Sequence, residues 1–222
     1  MIKRFTLIFN LFALMIASAA AAPPAPPSET PAPMSKMKRI FDTTRDGGKI
    51  GTVITEIEKQ GDITNVKSTT HISVVVLFVE VYRFDHTAIE TWNGGQFVSF
   101  KSETNDNGTK HSVSATAAGD KISLEIDGKR SEAPGTVIPG SFWSKAFVTA
   151  TQIFDDADGK HLSIKVSDLG DETLVVHDTK HQVRHYQVSG DLKRDLWFEG
   201  DSLVRFKLTG SDGSKIVSDL RP

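Results

Sequence analysis

Apolar side chains in this sequence recur mostly at every second position, the spacing of a strand with one buried face. Ile122, Leu124 and Ile126 alternate strictly before Asp127-Gly128, and Leu162, Ile164 and Val166 alternate against Ser163, Lys165 and Ser167. Near the end, Leu203, Arg205, Lys207 and Thr209 oppose Val204, Phe206 and Leu208. Ile50, Val53, Ile54 and Ile57 mark the first well-defined strand, and Met34 to Phe41 offers one before it. Gly-containing turns punctuate these segments, from Asp46-Gly47-Gly48 through Asn93-Gly94-Gly95 and Gly119-Asp120 to Ser211–Gly213. Asp-Gly and Asn-Gly pairs supply the positive φ angles that tight hairpins demand, so successive strands should pair antiparallel. The pattern predicts about ten or eleven strands in one long meander, with a single buried side.

Two segments depart from the alternation. Val74 to Phe78 is apolar throughout, which predicts a strand covered on both faces. After Pro139-Gly140, Ser141 can cap a segment from Phe142 to Phe154 whose apolar residues fall at 142, 143, 146, 147, 150 and 153–154. That spacing predicts an amphipathic helix of about three turns lying across the concave face of the sheet. A pair of strands is the alternative, because Val148, Thr149 and Thr151 are β-branched. The expected fold is all-β with one short helix: a single long antiparallel meander curled into an open β-roll or half-barrel.

The N-terminus reads differently. Lys3 and Arg4 precede an apolar stretch from Phe5 to Ala17, and Ser18 to Ala22 are small residues suited to A-x-A cleavage. Residues 1–21 are read as a signal peptide and 22–35 as a Pro-rich flexible spacer, leaving 36–222 as a single antiparallel β domain. The spacer holds six prolines in eleven positions from Pro23 to Pro33, a composition that favours extended polyproline II. The apolar stretch is shorter than the roughly 20 residues a transmembrane helix needs. A retained anchor is the alternative. A soluble periplasmic protein, with no membrane span in the mature chain, is therefore expected.

Composition narrows the chemistry. Without a cysteine there is no disulfide, no thiolate nucleophile and no Cys-type metal site. Two of the 26 Lys and Arg lie in the leader and none of the 28 Asp and Glu do, so the mature chain would carry four more acids than bases. No basic stripe appears, and nucleic acid is not an expected partner.

His177, His181 and His185 recur every fourth residue, but their flanks read as strands. A hairpin turning at Asp178-Thr179-Lys180 would set His177 against His181, and a solvated hairpin fits that pattern better than a metal site. Asp155-Asp156-Ala157-Asp158-Gly159 fails the calcium-loop register, with Lys165 where a bidentate Glu is required, and reads as a hairpin turn. There is no G-x-S-x-G elbow. No catalytic residue, metal or cofactor is assigned.

Glu90 and Trp92 share one strand face with Phe84 and Ala88, which puts an acid on a largely apolar surface. Such a residue is either a polar anchor in a ligand groove or the cross-strand partner of a lysine or arginine. If a groove exists, Phe84, Glu90, Trp92, Phe142, Trp143 and Phe147 are its candidate ligand-binding residues.

Several short elements lie along the chain: Asp46-Gly47-Gly48-Lys49-Ile50-Gly51, Tyr82-Arg83-Phe84 leading to Glu90-Thr91-Trp92-Asn93-Gly94, and Ser141-Phe142-Trp143. Gly190-Asp191-Leu192, Leu196-Trp197-Phe198, Leu203-Val204 and Asp212-Gly213-Ser214-Lys215-Ile216 complete the set. Together they resemble the DUF6134 family of exported bacterial proteins of unknown function, with a more distant likeness to the DUF3108 group. The resemblance implies a fold and carries no activity with it. The expected function is non-enzymatic binding of a hydrophobic or envelope-derived ligand, such as a lipid. The alternatives are an envelope assembly partner acting through protein contacts and, further off, a hydrolase.

Overall fold

Alternating side chains along the chain build one sheet of fifteen strands, seen in a computed structural model that describes residues 33–210 and 212–222. The segment read as a signal peptide, and the one read as a spacer up to Ala32, lie outside the described residues. The first arm runs β1 (Met34–Arg45), β2 (Gly48–Gln60), β3 (Ile63–Val76), β4 (Val79–Asn93), β5 (Gln96–Asp106), β6 (Thr109–Ala118), β7 (Lys121–Ile126) and β8 (Lys129–Pro134). The second comprises β9 (Ile138–Pro139), β10 (Gln152–Phe154), β11 (His161–Val176), β12 (Thr179–Gly190), β13 (Arg194–Glu199), β14 (Ser202–Thr209) and β15 (Lys215–Leu220). Each arm is an antiparallel meander apart from the parallel β9–β10 pair. The arms join in the middle, where β1 pairs with β15 from Phe41↔Leu220 to Arg45↔Ile216. The sheet does not close: β8 and β9 are its two edges.

Residues 135–160 settle why the curl holds. Val137, Ile153 and Phe154 are fully buried, and Phe147 nearly so. Val137 and Phe154 pack with Trp92, Phe97, Phe100, Ile122 and Leu124 of the first arm. Phe147 and Ile153 pack with Phe41, Ile164, Val188, Leu196 and Phe198, which lie on β1 and the second arm. The segment is thus an apolar filling shared by both walls. Gly159 lets its far end seat: at φ +74° it lies where a Cβ would come within 2.6 Å of the Ile126 side chain on β7.

The helix expected from Phe142 to Phe154 is absent. In its place stand a 3-10 turn from Lys145 to Thr149, capped by Ser144, and the strand β10. The segment occupies the concave side, but both of its faces are covered, so its apolar residues need not share one stripe. Val148, Thr149 and Thr151 also disfavour helix. The strands exceed the expected ten or eleven partly because β9 and β10 are pieces of two and three residues.

Val74 to Phe78 is a second correction. Only Val74 is buried; Leu77 is 87% and Phe78 101% exposed, with Val75, Val76, Val79 and Val81 half or more exposed. β2 stops pairing at Ile72 and β5 at Phe84, so beyond the Arg83 carbonyl, which accepts from the Asn107 amide at 2.7 Å, Ser73–Tyr82 extends past both neighbouring strands as a two-stranded ribbon. The apolar run marks its tip. A third concerns the histidines. His177 and Asp178 themselves form the β11–β12 turn, so Leu174, not His177, faces His181.

Candidate functional site

The inward face of β4 carries Phe84, His86, Ala88, Glu90 and Trp92, in strict alternation. Glu90 is 1% exposed, and one of its oxygens accepts from two indoles: Trp92 Nε1 at 2.8 Å and Trp143 Nε1 at 3.0 Å. It faces Val66 and Phe100 across the ladder and has no lysine or arginine partner among the described residues, so the cross-strand ion pair is not formed. Burial pushes its carboxyl up to about 7, against the opposing pull of the neighbouring Ser141 hydroxyl and of the two indole donors. Its other oxygen has no partner. Glu90 therefore ties the β4 wall to the buried segment after Gly140.

Two inward positions away on the same strand, His86 is 5% exposed, and its Nδ1 lies 2.9 Å from Thr104 Oγ1. Nε2 is without a hydrogen-bond partner and sits 3.9 Å from Asp156 Oδ2. Asp156 is held by its backbone, whose carbonyl accepts from Ser102 Oγ at 2.7 Å. Asp155 alongside orders the turn by accepting from the Ala157 and Asp158 amides at 2.8 and 3.3 Å. Burial and the neighbouring Asp156 push the Asp155 carboxyl up.

His86 and Asp156 border a cavity of about 210 Å³ between the β1–β4 wall, β14 and the buried segment. One side is apolar: Phe41, Phe84, Phe142, Phe206 and Leu208. Phe142 and Phe206 rings stand 5.9 Å apart, and Phe41 and Phe206 5.8 Å. The other side is polar, with Arg39, His86, Ser141, Asp156 and Arg194. Arg39 donates to the Trp143 carbonyl at 3.3 Å and to Ser202 Oγ at 2.9 Å. The arrangement can hold an apolar group against the rings while a polar head meets unspent donors.

Of the six candidate residues, Phe84, Phe142 and Trp143 line this cavity. Glu90 and Trp92 stand behind Trp143, whose ring meets that of Trp92 edge-on at 5.8 Å. Phe147 packs edge-on against Phe142 at 4.9 Å and belongs to the core. Arg39, His86, Asp156 and Arg194 are not among the candidate ligand-binding residues read from the sequence, where Asp156 appears only in a hairpin turn. Three of them carried a usable signal. His86 has the parity of Phe84 and Ala88, Arg39 that of Phe41, and Arg194 that of Leu196, so each is a polar residue on an apolar face. Asp156 had none, because its position depends on the turn.

The clustered histidines lead elsewhere. His181 Nδ1 lies 3.1 Å from Glu199, while His185 lies 3.1 Å from Asp195 and stacks on Trp197 at 4.3 Å. Among the described residues no group of three or more His, Cys, Asp or Glu converges as a metal site. Among them, too, no helix is long and apolar enough to cross a membrane.

The sequence profile of a domain of unknown function, DUF6134, matches residues 41–221. The likeness to the DUF3108 group rests on the sequence pattern alone. No curated protein sequence matches this chain. Among solved structures, a beta-barrel-like protein of the domain of unknown function DUF1849 from Brucella abortus aligns with a TM-score of 0.61 at 10% identity. The alignment covers 86% of this chain and 98% of that one. At such low identity the likeness speaks to fold and not to chemistry.

Proposed function

This chain belongs to the DUF6134 family, and we propose that it is an exported, soluble, non-enzymatic protein that binds a small amphipathic molecule inside its curled sheet. One observation carries this reading: an aromatic-walled cavity of about 210 Å³ faces buried polar groups whose hydrogen-bonding capacity is unspent. A buried nitrogen such as His86 Nε2 costs about 1–3 kcal/mol when left unpaired, and a bound ligand would offset that cost. The N-terminal pattern of basic, apolar and small residues supports export. Periplasm is the compartment it suggests.

The test is native mass spectrometry of protein purified gently from its own envelope. A co-purifying small amphiphile is expected, lost in Leu208→Trp, where the larger side chain fills the cavity. A clean apo mass in the native protein, together with no uptake of added amphiphiles, would sink the reading.

A further inference from the structure

We propose that the cavity selects a ligand with one acidic head, a carboxylate on a short apolar chain, held between Arg39 and Arg194. This rests on the binding role just proposed. Eight arginines fall among the described residues, and six of them pair with an Asp or Glu: Arg45, Arg83, Arg130, Arg184, Arg205 and Arg221. Arg39 and Arg194 form no such pair among the described residues, and both line the cavity. Withdrawing a guanidinium from water without a direct ion pair is costly, and this fold places two half-buried ones beside one space, with Asp156 and Asp155 acting on Arg194 only through space.

Their donors are not used up. Arg194 gives one to the carbonyl of Lys193 at 2.9 Å and leaves its buried Nε without a partner. Burial holds both guanidiniums below their usual range, as expected of desolvated cations. His86 Nε2 is a further unspent group on the same wall. A planar fork of N–H donors suits a carboxylate, which can accept from two at once.

Charge sets the valence. Two arginines and one carboxylate, that of Asp156, line the cavity, one basic side chain more than acidic. A single negative charge balances that excess, whereas a second would meet Asp156. Behind that wall, burial raises the Asp155 and Glu90 carboxyls. The space is smaller than the 300–1,000 Å³ or so of drug-sized sites, so it fits a short chain or the end of a longer one.

The test compares octanoate, octanol, octyl phosphate and octyltrimethylammonium by titration calorimetry on the purified protein. Octanoate should bind roughly 10-fold more tightly than octanol, the scale of a charge-assisted hydrogen bond, and the cation should not bind. In Arg194→Met, octanoate should fall to the level of octanol while octanol is unchanged, which also certifies that the cavity is intact. Arg194→Lys should recover part of the preference. Equal binding of octanoate and octanol by the native protein would overturn the acidic head and leave the binding role standing. Tighter binding of octyl phosphate would overturn the single charge. A preference that survives both Arg194→Met and Arg39→Met would remove the arginines from the site. Binding of none of the four probes would sink the binding role as well.

Discussion

Glu90 is the residue on which the interior turns. Its carboxyl lies near 7 in the folded protein against an ordinary 4.5, because burial penalises the charged form. A raised carboxyl means that the folded state holds a proton the unfolded chain has released. Its stabilising contribution is therefore complete below about pH 4.5 and is lost as pH rises through 7. The full swing is on the order of 3 kcal/mol. Glu90→Gln keeps an oxygen for the two indoles and cannot titrate. Urea unfolding from pH 4.5 to 8 should show native stability falling relative to this variant as pH rises. Parallel curves would refute the assignment. That an acid sits on this face was legible from alternation with Phe84, Ala88 and Trp92. That indoles, not a lysine, receive it depends on Trp143, 53 residues away in sequence.

At the scale of elements, the β3–β4 hairpin turns through Leu77 and Phe78 with φ of 49° and 66°. Left-handed backbone crowds the Cβ of any L-residue, by roughly 1–2 kcal/mol each, and bulky residues are rarely found there. Replacing the pair by Asn-Gly, the residues such a turn favours, should stabilise the protein by roughly 1–2 kcal/mol. Chemical denaturation checks this, and an unchanged or lowered midpoint would contradict it. A continuous apolar run predicted a strand, and a strand pair is there. Whether neighbours would cover it was not legible, since coverage depends on where β2 and β5 stop. The expected helix failed for a related reason. A segment buried on two sides is apolar at many positions, and such a run satisfies helical and extended spacing alike.

For the molecule as a whole, the decisive contact is β1 with β15. It joins parts of the chain as distant as Asp42 and Arg221, 179 residues apart, whose ion pair is 2.7 Å. Buried hydroxyls of Thr43 and Ser218 meet across the same seam at 2.8 Å. If the chain were cut between Gly135 and Thr136, with a flexible linker of about eight residues from Pro222 to Met34, every strand pair would join sequence neighbours. That permuted protein should fold to the same sheet and refold faster, because its contact order is lower. Stopped-flow refolding beside the native chain decides it; slower refolding would show that the β1–β15 pairing is not the slow step.

Alternation and turn residues by themselves determined that this is a sheet protein of sequential antiparallel strands, because side-chain parity and positive φ angles are local properties of the backbone. They also placed Glu90 and the aromatic residues on one inward face. Only the tertiary structure decided that the terminal strands pair, that residues 135–160 fill the curl as turn and strand, and that Arg39 and Arg194 share a cavity. Those outcomes depend on which distant surfaces meet, and one surface's burial is set by another's shape.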